Sequence, residues 1–227
     1  MGGCCCGNDL SIIGEDFIQK IIQDPLLKLN KFDYNLLLNS IESKRIQEQI
    51  YKNQIKDSLF PIFYEQNSRK SNSKYINSIF SYLLTQFEET NNMNSVLLMF
   101  YPFINHKNEF IGETLFNLFQ SIYKHLSIYD LVHLLIKYIK IFTQGLTYAV
   151  WTVCDISEIS YSLDELNTNI YSDNNIKNLV NNMIKKINKK SNYDIKALVH
   201  KNLFVEMIQQ YDISSVESIR SLLLNGV

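Results

Sequence analysis

Gly2 and the thiols that follow it are the residues whose types and spacing promise chemistry. The chain opens Met1-Gly2-Gly3-Cys4-Cys5-Cys6. Removal of Met1 exposes Gly2 as the acceptor for an amide-linked myristoyl chain, and Cys4, Cys5 and Cys6 stand where thioester-linked palmitate is carried. One myristoyl chain binds a bilayer only marginally. Each buried methylene adds roughly 0.8 kcal/mol, so a second chain is needed for stable anchoring. The usual pattern has Ser or Thr at the sixth residue, where this chain has Cys6. The next charges are Asp9, Glu15 and Asp16, which an anionic leaflet repels, so the second signal must come from the cysteines. The competing reading is an unmodified tail with three adjacent thiols. The fit of Gly2 and the clustering favour acylation.

Other uses of the cysteines fit less well. Structural zinc wants pairs two to four residues apart with a second pair elsewhere. Three consecutive cysteines and a distant Cys154 do not supply that, nor a disulfide framework. No apolar stretch precedes a small-residue cleavage site, which argues against secretion. The expected location is the cytosolic face of a membrane.

Elsewhere, the usual chemical signatures are missing. There is no Gly-rich phosphate loop, nucleophile elbow or metalloprotease helix motif. His106, His125, His133 and His200 are far apart in sequence and read as ordinary surface or core histidines. Cys154 with a remote His is a pairing that any chain with both residues offers. A calcium loop of EF-hand type needs oxygen ligands at its first, third and fifth positions, Gly at the sixth and Glu at the twelfth. Registers set on Gly14, Gly112 or Gly145 each put a non-ligand at a required position. No catalytic residue, metal or cofactor is expected. The run Lys185-Lys186-Ile187-Asn188-Lys189-Lys190 suits a helix C-terminus, where cations favour the macrodipole. A contact with anionic lipid is the alternative.

The elements that must carry this anchor are helical. Of 227 residues, 46% are hydrophobic, only seven are glycine and three proline, and the net charge is −1. That composition supplies a core and leaves no electrostatic case for nucleic acid. No period-two alternation recurs, so the expected class is all-α, with roughly 8–11 helices in helix–loop–helix pairs. Residues 1–8 read as a flexible acylated anchor and residues 9–227 as a helical domain, with lobes at 9–126 and 127–227.

Asp9 starts a helix to residue 23. A second long segment follows Asp33 through Ile55 and stops at Pro61, and the polar stretch 65–72 is a loop. Ser73 caps a helix striped by Ile79, Phe80 and Leu83. Another runs from Asn94 to Tyr101, and a further one over 110–126. Ser127 with Asp130 makes a variant capping box. Residues 131–154 are apolar enough to suggest a membrane span, but Lys137 and Lys140 would each cost roughly 2.5–3.5 kcal/mol there. A buried helix or helix pair, broken near Gly145, is expected, with Trp151 in the core. Later helices start at Ser162 with Glu165, after Ser172, at Asp194 and at Ser214 with Glu217.

Gly2 followed by successive helix–loop–helix units resembles the acylated EF-hand-like proteins of the calcineurin B and neuronal calcium sensor type. Val96-Leu97-Leu98-Met99-Phe100, then Asn105 to Glu109, then Leu115-Phe116 carry that spacing. A second resemblance is to the N-terminal helical half of myristoylated TLDc-domain proteins, on Tyr193-Asp194-Ile195 through Leu203-Phe204-Val205-Glu206-Met207-Ile208; no TLDc domain follows here. Calcium ligands do not carry over, because the matching positions are Phe, Lys or Thr. The resemblance implies a two-lobed, degenerate EF-hand-like arrangement and a lipid-anchored adaptor that binds a partner protein. The partner would dock an amphipathic helix in a groove lined by a subset of Phe100, Phe103, Phe110, Phe116 and Phe119. The alternatives are a calcium-responsive regulatory subunit or an enzyme of unrecognised chemistry.

Overall fold

The scarcity of glycine and proline is realised as helix. The computed structural model describes residues 7–23, 34–64, 73–103, 110–123, 125–153, 162–187 and 196–225. Among the described residues the chain is all-α, with eleven α-helices and one two-stranded sheet. In order they are α1 (Gly7–Gln23), α2 (Tyr34–Glu42), β1 (Gln49–Tyr51), α3 (Lys52–Tyr64), α4 (Ser73–Thr85), β2 (Thr90–Asn92) and α5 (Met93–Phe100), then α6 (Ile111–Ile122), α7 (Ile128–Lys140), α8 (Leu146–Trp151), α9 (Asp173–Ile187), α10 (Lys201–Gln210) and α11 (Val216–Leu224). Two π-helical segments, Ile141–Gly145 and Leu166–Ile170, interrupt the pattern.

Eight of these helices form four helix–loop–helix units joined two by two. β1 lies between α2 and α3, and β2 between α4 and α5. They pair antiparallel with Gln49 opposite Asn92 and Ile50 opposite Asn91. In the second half the α6–α7 loop meets the segment before α10 at an antiparallel bridge, Ser127 to Leu198. The Ile128 N–H donates to the Ala197 carbonyl at 2.9 Å and the Val199 N–H to the Leu126 carbonyl at 3.0 Å. The packing has the same logic in both pairs: α2 lies on α5 and α3 on α4, while α6 lies on α10 and α7 on α9. Each unit hides its apolar stripe against its partner, as a single helix cannot.

Some expected boundaries move. The long segment after Asp33 is two helices, split at a turn where Gln47 takes φ 58°. Pairing with β2 requires extended backbone there and buries Ile50 completely. Pro61 lies inside α3 rather than ending it, on the exposed side, at the loss of one ladder hydrogen bond. The helix expected from Asp194 begins at Lys201, because Leu198 is committed to the bridge. Ser215, not Ser214, caps α11: its Oγ accepts from the Ser218 N–H at 3.1 Å, while the Ser214 hydroxyl turns to Asp212 at 2.6 Å. The Ser127–Asp130 capping box is present as expected, a device that contributes about 1 kcal/mol. The loop 65–72, the stretch Asn105 to Glu109, Cys154 and the expected start at Asp194 lie outside the described residues.

One continuous apolar cluster runs from Ile18 in α1 to Leu223 in α11. The apolar stretch from Leu131 is a helix with one face buried that passes into a π turn ending at Gly145, and then α8. Among the described residues no helix is long and apolar enough to cross a membrane.

Candidate functional site

The first feature built by this fold concerns the anchor. Gly2, Cys4, Cys5 and Cys6 lie outside the described residues, but α1 starts directly after them at Gly7. Gly14 brings α1 against the 162–163 backbone, where a Cβ would sit 3.0 Å from the Ser162 carbonyl oxygen. One residue on, the Glu15 carboxylate enters the core and meets Arg220 of α11. Arg220 Nη2 donates to Glu15 Oε2 at 2.7 Å and Nε to Oε1 at 3.0 Å, a side-on fork. The Tyr171 hydroxyl and the Gln19 amide also donate to this carboxylate. Arg220 is fully buried and Glu15 nearly so.

The π segment completes the guanidinium's surroundings. Arg220 Nη1 donates to the Phe142 carbonyl at 3.1 Å and the Thr143 carbonyl at 3.4 Å. A π turn departs from the regular ladder and leaves such carbonyls open to side-chain donors. The ring of Tyr171 lies 4.9 Å from the guanidinium carbon. Burial alone would push the Glu15 carboxyl up. The Arg220 charge and the converging donors outweigh it and hold the carboxyl below its ordinary range. Burial and the Glu15 charge push the Tyr171 hydroxyl well up, against the pull of Arg220.

The second feature is a cleft between the two sets of helix pairs. It has a volume of about 470 Å³ and runs between the β2–α5 side and the α6–α7 side. Phe87, Leu98, Met99 and Tyr138, all buried, form its floor. The rim carries the exposed His133 and Lys137 opposite Glu88 and Asn92. Asn91 stiffens the β2 wall, accepting from the Glu88 N–H at 3.0 Å and donating back to its carbonyl at 2.6 Å. Burial pushes the Tyr138 hydroxyl well above its ordinary range, helped by Tyr101 and Asp212. It is therefore a neutral donor, spent on the Ile213 carbonyl at 3.3 Å. The His133 ring is held edge-on by Tyr129, 4.4 Å between centroids.

The expected phenylalanine groove is corrected. Phe100, Phe103, Phe116 and Phe119 are sealed in the core. They pack in two aromatic groups: Phe100 against Phe80 and Phe87, and Phe116 and Phe119 against Phe204, the second reaching Phe103 through Tyr138 and Phe142. Phe110 alone of the five is exposed, at 59%, at the N-cap of α6. The open cleft lies beside them, with Leu98 and Met99 instead of the phenylalanines on its floor. Trp151, expected in the core, is 43% exposed.

The loops of the first pair are poor cation sites. Residues 43–51 offer one carboxylate, Glu48, and residues 86–92 offer Glu88 and Glu89, all exposed. Among the described residues no three His, Cys, Asp or Glu side chains gather to hold a metal ion.

Sequence reasoning missed the Glu15–Arg220 pair, although a signal was there. Glu15 is one turn before Ile18 on the buried stripe of α1, and Arg220 lies between Ile219 and Leu223 on that of α11. Two opposite charges, each on an apolar stripe, are the pattern of a buried pair. No family model, curated protein or solved structure matches the chain.

Proposed function

We propose that the chain is a lipid-anchored helical adaptor, of EF-hand-like organisation, that holds a partner protein at the cytosolic face of a membrane. The observation that carries this reading is the cleft between the helix pairs, with its buried apolar floor and charged rim. A cleft of that size accepts a few apolar side chains, and an amphipathic helix offers them three and four residues apart. The rim residues His133, Lys137 and Glu88 would read the polar flank of that helix. Two acyl chains on Gly2 and a neighbouring cysteine supply the location. Tying α1 to the body through Glu15 and Arg220 couples anchor to cleft within one folded unit.

The test has two readouts. Cells labelled with alkynyl myristate and palmitate should incorporate both into the wild-type chain. Gly2→Ala should become mainly soluble, and the joint change of Cys4, Cys5 and Cys6 to Ser should leave only washable binding. Proximity labelling from the membrane-bound form should recover a reproducible partner. A His133→Glu/Lys137→Glu variant should lose that partner at an unchanged melting temperature. Unaltered membrane retention in both anchor variants would sink the lipid anchor, and unaltered capture by the rim variant would sink the cleft.

A further inference from the structure

An acylated chain of this build has little freedom to hold its body away from a bilayer. Four residues lie between Gly2 and Gly7, and the five backbone steps span at most about 18 Å however they are arranged. From Gly7 to Phe17, α1 adds about 15 Å along its axis. Some face of the folded body within that reach must therefore lie at the headgroups.

One such face carries amphipathic aromatic residues in the open. Tyr148 and Trp151, one turn apart on α8, are 55% and 43% exposed and pack on each other with ring centroids 5.8 Å apart. The buried positions of α8, Leu146, Ala149 and Val150, leave these two on the outer side. The face continues into α1: Phe17 meets the Tyr75 ring at 6.1 Å, and the neighbouring Lys74 reaches the Val153 carbonyl at 3.5 Å, just beyond Trp151. Lys74 also sits 5.3 Å from the Tyr75 ring centroid.

We infer that Tyr148 and Trp151, flanked by Lys74, form a second membrane contact that rests in the headgroup layer when the acylated N-terminus is inserted. The inference rests on the lipid-anchored reading above. Tyr and Trp join an apolar ring to a polar tip and favour the boundary between hydrocarbon and water. Lys74 adds attraction to anionic headgroups. The contact would fix how the body is rotated on the bilayer and so which way the cleft opens.

Trp151, the sole tryptophan, reports on its own surroundings. The full chain, carrying Gly2→Ala and an N-terminal hexahistidine tag, should be tethered to phosphatidylcholine vesicles that contain nickel-chelating lipid and phosphatidylserine. This replaces the acyl anchor, so the result is independent of whether Gly2 is acylated. Trp151 emission should move to shorter wavelength and be quenched by brominated acyl chains. In the enzymatically myristoylated full chain, Tyr148→Ser/Trp151→Ser should lower vesicle partitioning about tenfold, with the helical circular dichroism unchanged. Emission that ignores the vesicles, or shifts only as protein concentration rises without lipid, would overturn the inference. The second outcome would make this face a contact between copies of the chain. Neither outcome touches the acylation reading, which metabolic labelling decides.

Discussion

Glu15 and Arg220 are 205 residues apart and form a buried ion pair. Removing one partner strands the other charge in the core, which costs about 3–5 kcal/mol. Glu15→Gln should therefore lower the unfolding free energy by that amount in urea melts. Glu15→Leu/Arg220→Met should recover most of it, short of the hydrogen bonds that Tyr171 and two carbonyls then lack. A loss in Glu15→Gln below about 1 kcal/mol, the value of an exposed pair, would show that the pair is solvated. The pH dependence has a definite sign. Glu15 has a lowered pKa in the fold, so its stabilisation is fully present above the ordinary Glu value of about 4.3. It is lost as pH falls through the depressed value. The double variant should lack this acid-sensitive component.

Among the elements, the α7–π–α8 run does the most to bring distant parts together. Its π turn supplies the carbonyls that hold Arg220, its end carries Tyr148 and Trp151, and Gly145 lets α4 lie against it. A Cβ at Gly145 would fall 2.1 Å from the Tyr82 hydroxyl oxygen and 2.2 Å from the ring carbon that bears it. Gly145→Ala should thus destabilise by about 1–3 kcal/mol through overpacking. Tyr82→Ala in the same chain should relieve the clash, as judged by comparing both thermal melts with that of Tyr82→Ala alone. Equal penalties with and without the Tyr82 ring would mean that the helix, rather than the contact, needs glycine. A lone glycine in an apolar run marked the place near Gly145, but the expected break is not there: the backbone stays helical from Ile128 to Trp151 and only changes to a π turn. The π geometry was not legible, because no local pattern marks which carbonyls a donor such as Arg220, from the far end of the chain, will take.

At the scale of the molecule, the units pair twice by the same rule, and one apolar cluster joins both halves. Helix α5 packs on α6 across the divide, and α1 is bound to α11. Unfolding followed by far-ultraviolet dichroism and by the near-ultraviolet signal of the tyrosines should therefore give coincident transitions. Two separated transitions would mean that residues 9–126 and 127–227 fold as independent lobes.

The amino-acid sequence by itself determined the helical class, the capping box at Ser127, the stripe of α4, and the acylation motif. Each of these is local: a period of 3.6, a hydroxyl three residues before a carboxylate, a glycine behind an initiator Met. The tertiary structure decided what depends on a neighbour. A phenylalanine stripe is core or groove according to what packs on it, and Phe204, Phe142 and Phe80 closed over the expected groove residues. Trp151 stays outside because α8 spends its buried face on other residues. The turns at Gln47 and Leu198 exist because a partner loop pairs with each segment. Pairing and burial depend on two surfaces at once, and a linear pattern reports only one of them.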